Sequence, residues 1–465
     1  MNHTRSRFRG PVTAAVALCA AVTMLFAGHA SAAPTQVPVK PALPFPVPPT
    51  LPEFDPFYKP PQKVVDSKKP GELIAARRVH LAYTAVLPIN IDAWQVSFRS
   101  TDTKGRAIPS VATVMKPRGR AQRPRPLLSF QQAEDSLGQY CRPSYLMQLA
   151  SLGPLAGSSE TSSLMYVPIA AAELGWAVVI PDTQGPKQAF GAGPLEGMIS
   201  LDAIRAAENF KPMGLNPNTK VGLAGYSGGA LATGHAAELH GSYAPELNIV
   251  GVAEGGIPAD VGAALKMSRG TLGGGIIPAG AIGAAREYPE LAQLFRRYLK
   301  PEGRAFVAAK ENLCQVPTAM VLPFANFEGM FMIPNALSDP RAVSVMNKIK
   351  MGKATPKAPM FMIQSTNDWL IPRPSVDKLV KTYCLDPSAN VQYLRDHFSE
   401  HITLDVFYAP LMIKFLKDRF NGEPLNSGCH TKDAGTILAA SELWSTLLPL
   451  VAPTILDLLG KPVGR

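Results

Sequence analysis

The sequence has 465 residues and a formal net charge of +11, with 46% apolar and 17% charged residues. A chain of this length and apolar content can bury a large core, so a protein that is disordered throughout is excluded. No Lys/Arg run is dense enough to suggest nucleic acid, and the basic charge indicates a solvated face or contact with anionic lipid or cell-wall material.

Residues 1–32 have the features of a secretory signal peptide. Arg5, Arg7 and Arg9 form a basic start, PVTAAVALCAAVTMLFAG is apolar, and an A-x-A cleavage site ends at Ala32. The apolar run is short for a bilayer span and no stop-transfer charges follow it, although an uncleaved N-terminal anchor is the alternative. The sequence therefore predicts a protein that is secreted to the extracellular space or the cell envelope.

The cysteines agree with export. Cleavage near Ala32 leaves a charge of +8 and removes one of the five cysteines. An even number in an exported chain predicts two disulfides, for which three connectivities are possible. With the cysteines oxidised, and with no HExxH motif or Cys/His cluster, no metal site is expected. The remaining cysteines are Cys141, Cys314, Cys384 and Cys429.

A proline-rich segment at residues 33–69 follows the signal peptide. Eleven prolines fall between Pro34 and Pro61, which predicts an extended polyproline-type linker that lies over the surface or acts as a spacer.

Alternating strands and helices then predict one α/β domain at residues 70–430. AWQVSFRS and AIPSVATVMKP read as an antiparallel hairpin. Six further runs read as buried parallel strands, separated by helices such as SLDAIRAAENF: PLLSFQQ, WAVVIPD, KVGLAGYS, NIVGVAEGG, APMFMIQST and VQYLRD. The expected fold is a mostly parallel sheet with helices on both faces, in which the chemistry collects at the carboxyl ends of the strands.

The region at about 260–350 breaks this alternation. It has helix-like pieces and few strand signals, and it is too long for a simple connection. We interpret it as an inserted helical cap. Its run LGGGIIPAGAIG suits either a lid at a lipid interface or a buried helical core, and it lacks the strand and the acid of a dinucleotide fingerprint.

Ser227 stands in the motif GYSGG. VGLAG before it reads as a strand and GALATGHAAELHG after it as a helix, which is the context of a nucleophile at a sharp strand-to-helix turn. The alternative is a small residue in a glycine-rich loop.

The acid of a catalytic triad should follow the nucleophile at the end of a later strand. Asp368 comes after the strand APMFMIQST. Asp377 falls inside a predicted helix, and Asp396 precedes a candidate histidine too closely. The alternative role for Asp368 is to cap the helix that starts near Pro374.

The base should come last in chain order, in a loop after the next strand. His401, just before an amphipathic helix, is preferred to His397, which is the alternative. His235 and His240 are expected to point away from the site, and His430 has no strand context.

An oxyanion hole needs two donors. The amide of Gly228 is one candidate. Asp135, in the loop after an early strand, is the other, through its backbone N–H or through a protonated side chain. A surface acid is the alternative interpretation of Asp135.

Together these residues resemble the secretory lipase family of fungi and actinobacteria, within the α/β-hydrolase fold, over about residues 70–430. The motifs that carry the resemblance are FQQAEDSLGQYCRPS, WAVVIPDTQGP, GYSGGALATGHAAEL, VAEGGIPAD, QSTNDWLIP and EHITLDVFYAPLMIKFLKDRFNG.

The resemblance implies a triad of Ser227, Asp368 and His401, with Asp135 and Gly228 at the oxyanion hole. It also implies the disulfides Cys141–Cys314 and Cys384–Cys429, and a cap after NIVGVAEGG. The linker and the apolar tail at residues 431–465 depart from the family. The tail is expected either to dock on the core or to contact lipid.

The expected function is a secreted serine lipase that acts, without cofactor, on triacylglycerols or other long-chain esters through an acyl-enzyme on Ser227. The partner is a lipid or ester, with lipid-interface contact through the cap and the tail as a further expectation. The alternatives are a short-chain carboxylesterase, an acyltransferase and a non-catalytic lipid-binding protein of the cell envelope.

Overall fold

The computed structural model describes residues 37–45, 47–119, 121, 123–153 and 165–464. The signal peptide predicted for residues 1–32 lies outside the described residues. The strands are β1 (Val39–Lys40), β2 (Leu73–Arg78), β3 (Ala82–Tyr83), β4 (Leu87–Pro88), β5 (Asp92–Thr101), β6 (Ala107–Lys116), β7 (Leu127–Gln131), β8 (Ala177–Pro181), β9 (Val221–Tyr226), β10 (Ile249–Gly255), β11 (Met360–Ser365), β12 (Val391–Asp396) and β13 (Cys429–Ala434).

Eleven strands of the described part of the chain form one sheet, in the order β1-β2-β5-β6-β8-β7-β9-β10-β11-β12-β13. The series β2, β5, β6 and β8 pairs antiparallel. From β8 to β13 every neighbouring pair is parallel. The carboxyl ends of these parallel strands therefore meet at one edge, where ligands bind in open α/β sheets.

Helices cover both faces of the sheet. They are α1 (Gln62–Asp66), α2 (Pro143–Leu146), α3 (Tyr166–Glu173), α4 (Gly193–Asn209), α5 (Gly228–Tyr243), α6 (Val261–Met267), α7 (Ile277–Glu287), α8 (Pro289–Tyr298), α9 (Pro301–Lys310), α10 (Gln315–Met320), α11 (Pro340–Ile349), α12 (Arg373–Tyr383), α13 (His401–Asn421) and α14 (Ser441–Leu458).

The alternation of strand side chains divides the core into two layers. Leu127 and Val179 pack in the cluster that includes α4 and α5. Their chain neighbours Leu128 and Val178 pack in the cluster that includes α3 and α13. Strands buried on both faces need the continuous apolar runs that predicted them, and the predicted α/β class is confirmed.

The chain between β10 and β11 adds no strand to the sheet and contains α6 to α11. This is the region where the sequence predicts a helical cap. Phe295, Phe327 and Phe331 pack in its interior, with ring centroids 5.3 to 5.7 Å apart.

The proline-rich segment lies on the domain from Val37 onward. Strand β1 pairs with β2, and the hydroxyl of buried Tyr58 is hydrogen-bonded to Oγ of Ser144 at 2.9 Å. Asp55 forms an ion pair with Arg77 at 2.6 Å. Of the two alternatives, this part of the segment follows the surface and does not act as a spacer.

The C-terminal region also joins the domain. Strand β13 extends the sheet beside β12, so the predicted boundary at residue 430 falls inside a strand. The expectation that His430 has no strand context is wrong, because His430 is the second residue of β13. Helix α14 packs against α13 and α3, with Leu443 buried. None of the helices in the described ranges is long and apolar enough to cross a bilayer.

Candidate active site

Ser227 occupies the one-residue turn between β9 and α5. Its backbone is in an unusual conformation, φ 52° and ψ −121°, which costs a residue other than glycine about 1–3 kcal/mol. The glycines on either side are required by close approach. A Cβ on Gly225 would overlap the backbone of Gly229, and a Cβ on Gly229 would overlap the carbonyl of Gln131. This turn presents the serine hydroxyl at the carboxyl end of the parallel strands.

Ser227, His401 and Asp368 are joined by two hydrogen bonds. Nδ1 of His401 lies 2.7 Å from Oδ2 of Asp368, and Nε2 of His401 lies 2.9 Å from Oγ of Ser227. An ionised carboxylate can only accept, so Nδ1 carries the proton. Nε2 is then free to accept the proton of the serine hydroxyl.

Asp368 is held three residues beyond the end of β11. Its Oδ1 accepts from the backbone N–H groups of Leu370 and Ile371, at 2.9 and 2.7 Å. Its Oδ2 accepts from Nε2 of Gln364 at 2.7 Å. These donors fix the carboxylate with one oxygen facing the imidazole.

His401 is the first residue of α13 and is held from both sides. Glu400 caps this helix, since its side chain accepts from the N–H of Thr403, whose side chain accepts from the N–H of Glu400. The Tyr226 hydroxyl donates to the His401 carbonyl at 2.6 Å. Nε1 of Trp369 donates to Glu400 at 2.7 Å, which links the loop of Asp368 to the helix of His401.

The other candidate histidines lie elsewhere. His397 is half exposed and contacts Asp433 through Nε2 at 2.8 Å. The ring of His235 contacts the Ile349 carbonyl at 3.0 Å, and burial lowers its pKa to about 4. His240 contacts the Leu247 carbonyl at 2.9 Å. His235 and His240 thus point away from Ser227, as expected from their place in α5.

The two other candidate aspartates have structural contacts. Asp377 accepts from the Tyr393 hydroxyl at 2.9 Å. Buried Asp396 accepts from the backbone N–H groups of Ser399 and Ile437, at 2.6 and 2.7 Å. Asp396 therefore shapes the loop that leads to His401.

Asp135 lies against Gly228, because a Cβ on Gly228 would overlap Oδ1 of Asp135. Asp135 is buried, and this burial raises its pKa to about 6. With the Gln184 amide oriented so that its nitrogen donates to the Ser136 carbonyl, its oxygen accepts from the Asp135 N–H at 3.1 Å. The expectation that this N–H is available is therefore corrected. The side chain is the group that faces the site.

A protonated Asp135 carboxyl and the amide of Gly228, at the first turn of α5, can together donate to a developing oxyanion. Oδ1 of Asp135 has no hydrogen-bond partner among the described residues. Oδ2 accepts from Nε2 of Gln315 at 3.2 Å. Gln315 follows Cys314, which is bonded to Cys141, so a disulfide holds the cap residue that contacts Asp135.

The structure also joins Cys384 to Cys429. Both pairings are those that the family resemblance implies. Cys141–Cys314 ties the loop after β7 to the cap, and Cys384–Cys429 ties the end of α12 to β13.

A small apolar cavity adjoins Ser227. Its volume is about 40 Å³, and Leu231, Val261, Ile276 and Leu370 are among the residues that line it. This is room for only a few water molecules, at about 10–15 Å³ each. The segment between β10 and β11 supplies Val261 and Ile276, so this segment forms part of the cavity wall. No group of three His, Cys, Asp or Glu side chains in the described ranges could hold a metal ion.

Sequence reasoning missed Tyr226, Gln364 and Glu400, which hold the triad in place. For Glu400 a local signal exists, because E-H-I-T at residues 400–403 has the spacing of reciprocal helix capping. Tyr226 acts through a contact with a distant segment, and Gln364 acts on Asp368 four residues later. The sequence carries no pattern for either contact.

These features place the chain among the α/β-hydrolases that carry serine at a strand-to-helix turn. The family model described as secretory lipase matches residues 155–428. The chain is 38% identical to the Mycobacterium tuberculosis protein named Probable inactive lipase MT1628, over 81% of this chain and 84% of that protein. It is 34% identical to Secreted triacylglycerol lipase LIP5 of Malassezia globosa, over 90% of this chain and 89% of that lipase.

Among solved structures, Candida antarctica lipase A in its closed state superposes with a TM-score of 0.78 at 27% identity, covering 89% of this chain and 96% of that one. The chain belongs to the secretory lipase family. It is a secreted carboxylic ester hydrolase, as the sequence predicts.

Proposed function

We propose that this ester hydrolase is a lipase that cleaves long-chain esters, including triacylglycerols, through an acyl-enzyme on Ser227. The observation that carries the proposal is the hydrogen-bonded series from Asp368 through His401 to Ser227. A serine with its base in hydrogen-bond reach, and with that base oriented by an acid, has the arrangement of an activated nucleophile.

In the first half-reaction Oγ of Ser227 bonds to the ester carbonyl carbon while Nε2 of His401 takes the hydroxyl proton. Asp368 stabilises the imidazolium that forms. The Gly228 amide and the protonated Asp135 carboxyl donate to the oxyanion. Collapse breaks the bond to the alcohol, which leaves with the proton from His401.

In the second half-reaction a water molecule gives a proton to His401 and attacks the acyl carbon. The second tetrahedral intermediate uses the same oxyanion donors. Its collapse breaks the bond to Ser227 Oγ, which recovers the proton from His401, and the free acid departs.

An apolar acyl chain is the substrate part that suits the cavity beside Ser227. The lining is almost entirely aliphatic or aromatic, and the relative from Malassezia globosa is named a triacylglycerol lipase. A cavity of about 40 Å³ is far below the 300–1,000 Å³ of typical ligand pockets. We infer that the segment at about 260–350 acts as a cap that moves away before an acyl chain enters.

Lipid-surface contact through the cap and helix α14 is part of the same proposal. Met320 and Phe324 of the cap region are 71% and 62% exposed, and Leu448 and Ile455 of α14 are 63% and 52% exposed. Exposed apolar groups on one helix face are typical of helices that lie in a lipid–water interface.

The experiment that tests the chemistry is hydrolysis of p-nitrophenyl esters from acetate to palmitate, with Ser227→Ala beside the native protein. We expect turnover that rises with acyl length and that falls in the variant by more than about 10³-fold. Activity restricted to acetate and butyrate would indicate a short-chain esterase. Equal rates for the two proteins would show that Ser227 is not the nucleophile.

Two alternatives need their own readouts. An acyltransferase would give mainly the new ester, and not the free acid, when a sterol or sugar acceptor is present. The second alternative is a non-catalytic lipid-binding protein, and the Mycobacterium tuberculosis relative is named a probable inactive lipase. A fluorophosphonate that labels native protein but not Ser227→Ala would exclude it.

The interface proposal predicts separate effects on dispersed and aggregated substrate. In Leu448→Ser/Ile455→Ser we expect activity on a triacylglycerol emulsion to fall about tenfold, because adsorption loses two apolar contacts. Activity on a soluble short ester should stay within about twofold. The matched control is Phe54→Ser/Leu385→Ser, which changes two exposed apolar residues outside the cap and α14. If both variants lost the same activity on the emulsion, the assignment of α14 to lipid-surface contact would be contradicted.

A further inference from the structure

An open groove lies at the amino-terminal edge of the parallel strands, away from Ser227. Its volume is about 1190 Å³. Residues that line it directly precede three strands: Pro126 before β7, Trp176 before β8 and Lys220 before β9. Ser227 follows the other end of β9. The six residues of β9 separate the groove from the catalytic serine by about 20 Å.

The groove is lined by four cations and one acid. Arg118, Arg123, Arg125 and Lys220 supply the positive charge, and Glu173 is the acidic lining residue. Glu173 is already hydrogen-bonded within the groove wall, since it accepts from the N–H of the lining residue Gly464 at 2.6 Å. The groove therefore has a clear positive excess.

The lining cations have few acidic partners within the described ranges. Arg118 approaches Asp92 only at 3.8 Å, and Asp92 already binds Arg78 at 2.8 Å. Lys220 donates to the carbonyl of Phe420 at 2.7 Å. Arg123 is exposed, and none of the ion pairs of the described chain includes it. Their charge thus remains available to a bound anion.

Arg125 also lacks an acidic partner, and its side chain is partly buried. Its guanidinium donates to the carbonyl of Gly175 at 2.8 Å, and no carboxylate lies in ion-pair range among the described residues. Burial without such a partner lowers its pKa. An anion in the groove would supply the missing opposite charge.

The residues that line the groove indicate which class of anionic molecule binds there. None of the exposed large apolar side chains of the described chain lines it, so it lacks the apolar contacts that hold a protein in a bilayer surface. Exposed Asn216 and Asn218 lie along the same wall. Their side-chain nitrogens have no hydrogen-bond partner in the described chain and can donate to hydroxyl groups.

We propose that this groove binds an anionic polysaccharide, with arginine and lysine on its acidic groups and the asparagine amides on its hydroxyl groups. Arginine suits planar or tetrahedral oxyanions because its fork donates two parallel hydrogen bonds. A strand bound there would leave the Ser227 edge of the sheet uncovered. The enzyme could then stay attached to an acidic cell-surface or wall polymer while its active site faces lipid.

The test measures affinity for heparin, as the anionic polysaccharide probe, at several salt concentrations. The groove variant is Arg118→Gln/Arg123→Gln/Lys220→Gln. The matched control, Lys266→Gln/Lys378→Gln/Lys381→Gln, removes the same charge from exposed lysines outside the groove. Arg118→Gln/Arg123→Gln provides a second groove variant that retains the Lys220 contact to Phe420. Hydrolysis of a soluble ester checks that every variant is folded.

We expect the groove variant to bind heparin about tenfold more weakly, with the slope of log Kd against log salt reduced by about two to three. The control should stay within about twofold, and uncharged dextran should not bind. If both triple variants lost heparin affinity equally, net charge alone would explain the loss, and the proposal would be overturned.

Two further outcomes would also overturn it. One is loss of binding to phosphatidylglycerol vesicles in the groove variants while heparin binding is kept, which would make a lipid headgroup the occupant. The other is that a short DNA duplex binds as tightly as heparin and loses as much affinity in the groove variants. The groove would then not be specific for a polysaccharide.

Discussion

Asp135 decides whether the oxyanion site has a second donor. Its pKa is raised to about 6 by burial. Below that pH the carboxyl carries a proton and can donate, whereas above it the carboxylate only accepts and repels an oxyanion. We expect kcat/KM of the native enzyme to fall on the alkaline side as Asp135 ionises.

Two substitutions separate charge from hydrogen bonding at this position. Asp135→Asn keeps a donor that does not titrate, so it should stay within about tenfold of native activity and lose the alkaline decline. Asp135→Leu has no donor and should cost about 10²–10³ in kcat. The measurement is kcat/KM against pH on a soluble ester. An alkaline decline that persists in Asp135→Asn would assign the ionisation to another group.

Gln315 offers an independent test of the same ionisation. Its amide donates to Oδ2 of Asp135, which stabilises the ionised form and lowers the pKa of Asp135. Gln315→Leu should therefore raise this pKa and move the alkaline decline to higher pH. A profile unchanged in position would show that Gln315 does not affect the group that titrates.

At the residue scale the chain order of Ser227, Asp368 and His401 selects, from several candidates, the three side chains that the structure joins by hydrogen bonds. Each follows a strand of recognisable composition, and parallel strands bring their ends together. The use of the Asp135 N–H could not be predicted. It depends on Gln184, which packs against it only in the folded chain.

Helix α13 shows how an element can position a base. Glu400 caps its first turn and also accepts from Trp369, so it stabilises the helix and fixes the start that carries His401. We expect Glu400→Ala to cost about 1 kcal/mol in the free energy of unfolding. A further fall in kcat of about tenfold should follow, because the imidazole loses its fixed position.

A cap on another helix gives the control for this prediction. Asp339 accepts from the N–H of Arg341 at the start of α11 in the cap region. Asp339→Ala should cost a similar amount of stability and leave kcat for a soluble ester unchanged. The two variants are compared by thermal unfolding and by kcat. If both lost kcat in proportion to stability, Glu400 would have only a structural role.

Elements with apolar alternation or buried apolar runs were predictable, whereas β13 at one edge of the sheet and β2, next to the two-residue edge strand β1, were not. Strand β2 reads LIAARR and β13 reads CHTKDA. An edge strand that is covered on one side or exposed on both needs no apolar period, so its sequence resembles a loop. The same lack of an apolar period in β13 explains why the sequence predicts an end of the domain at residue 430.

Across the whole molecule, buried acids make stability depend on pH. Glu254 lies in β10 with both carboxyl oxygens buried and without a partner among the described residues. Burial raises its pKa well above the usual range, and Glu238 adds to the rise. Above a pH of about 4.3 the unfolded chain has released this proton while the folded chain retains it, so stability falls as pH rises towards the folded pKa.

Glu254→Gln removes this titration. Relative to the native protein, the variant should gain up to about 2 kcal/mol between pH 6.5 and 8. This window avoids His235, whose lowered pKa of about 4 makes stability change in the opposite direction at lower pH. The measurement is unfolding by denaturant at both pH values, with exposed Glu423→Gln as the control. If the free energies of unfolding of variant and native protein differed by the same amount at both pH values, the prediction would be wrong.

The bond between Cys384 and Cys429 has a consequence for where the protein can be made. It holds β13, the exposed last strand of the sheet, which carries Lys432 and Asp433. Strand β13 covers the edge of β12 that would otherwise be unpaired. In a reducing cytoplasm this bond is absent, and the edge of β12 that β13 covers becomes a template for pairing with other chains. Recombinant production should therefore yield aggregates in the cytoplasm and soluble enzyme from an oxidising compartment, which makes export a condition of correct folding as well as a destination.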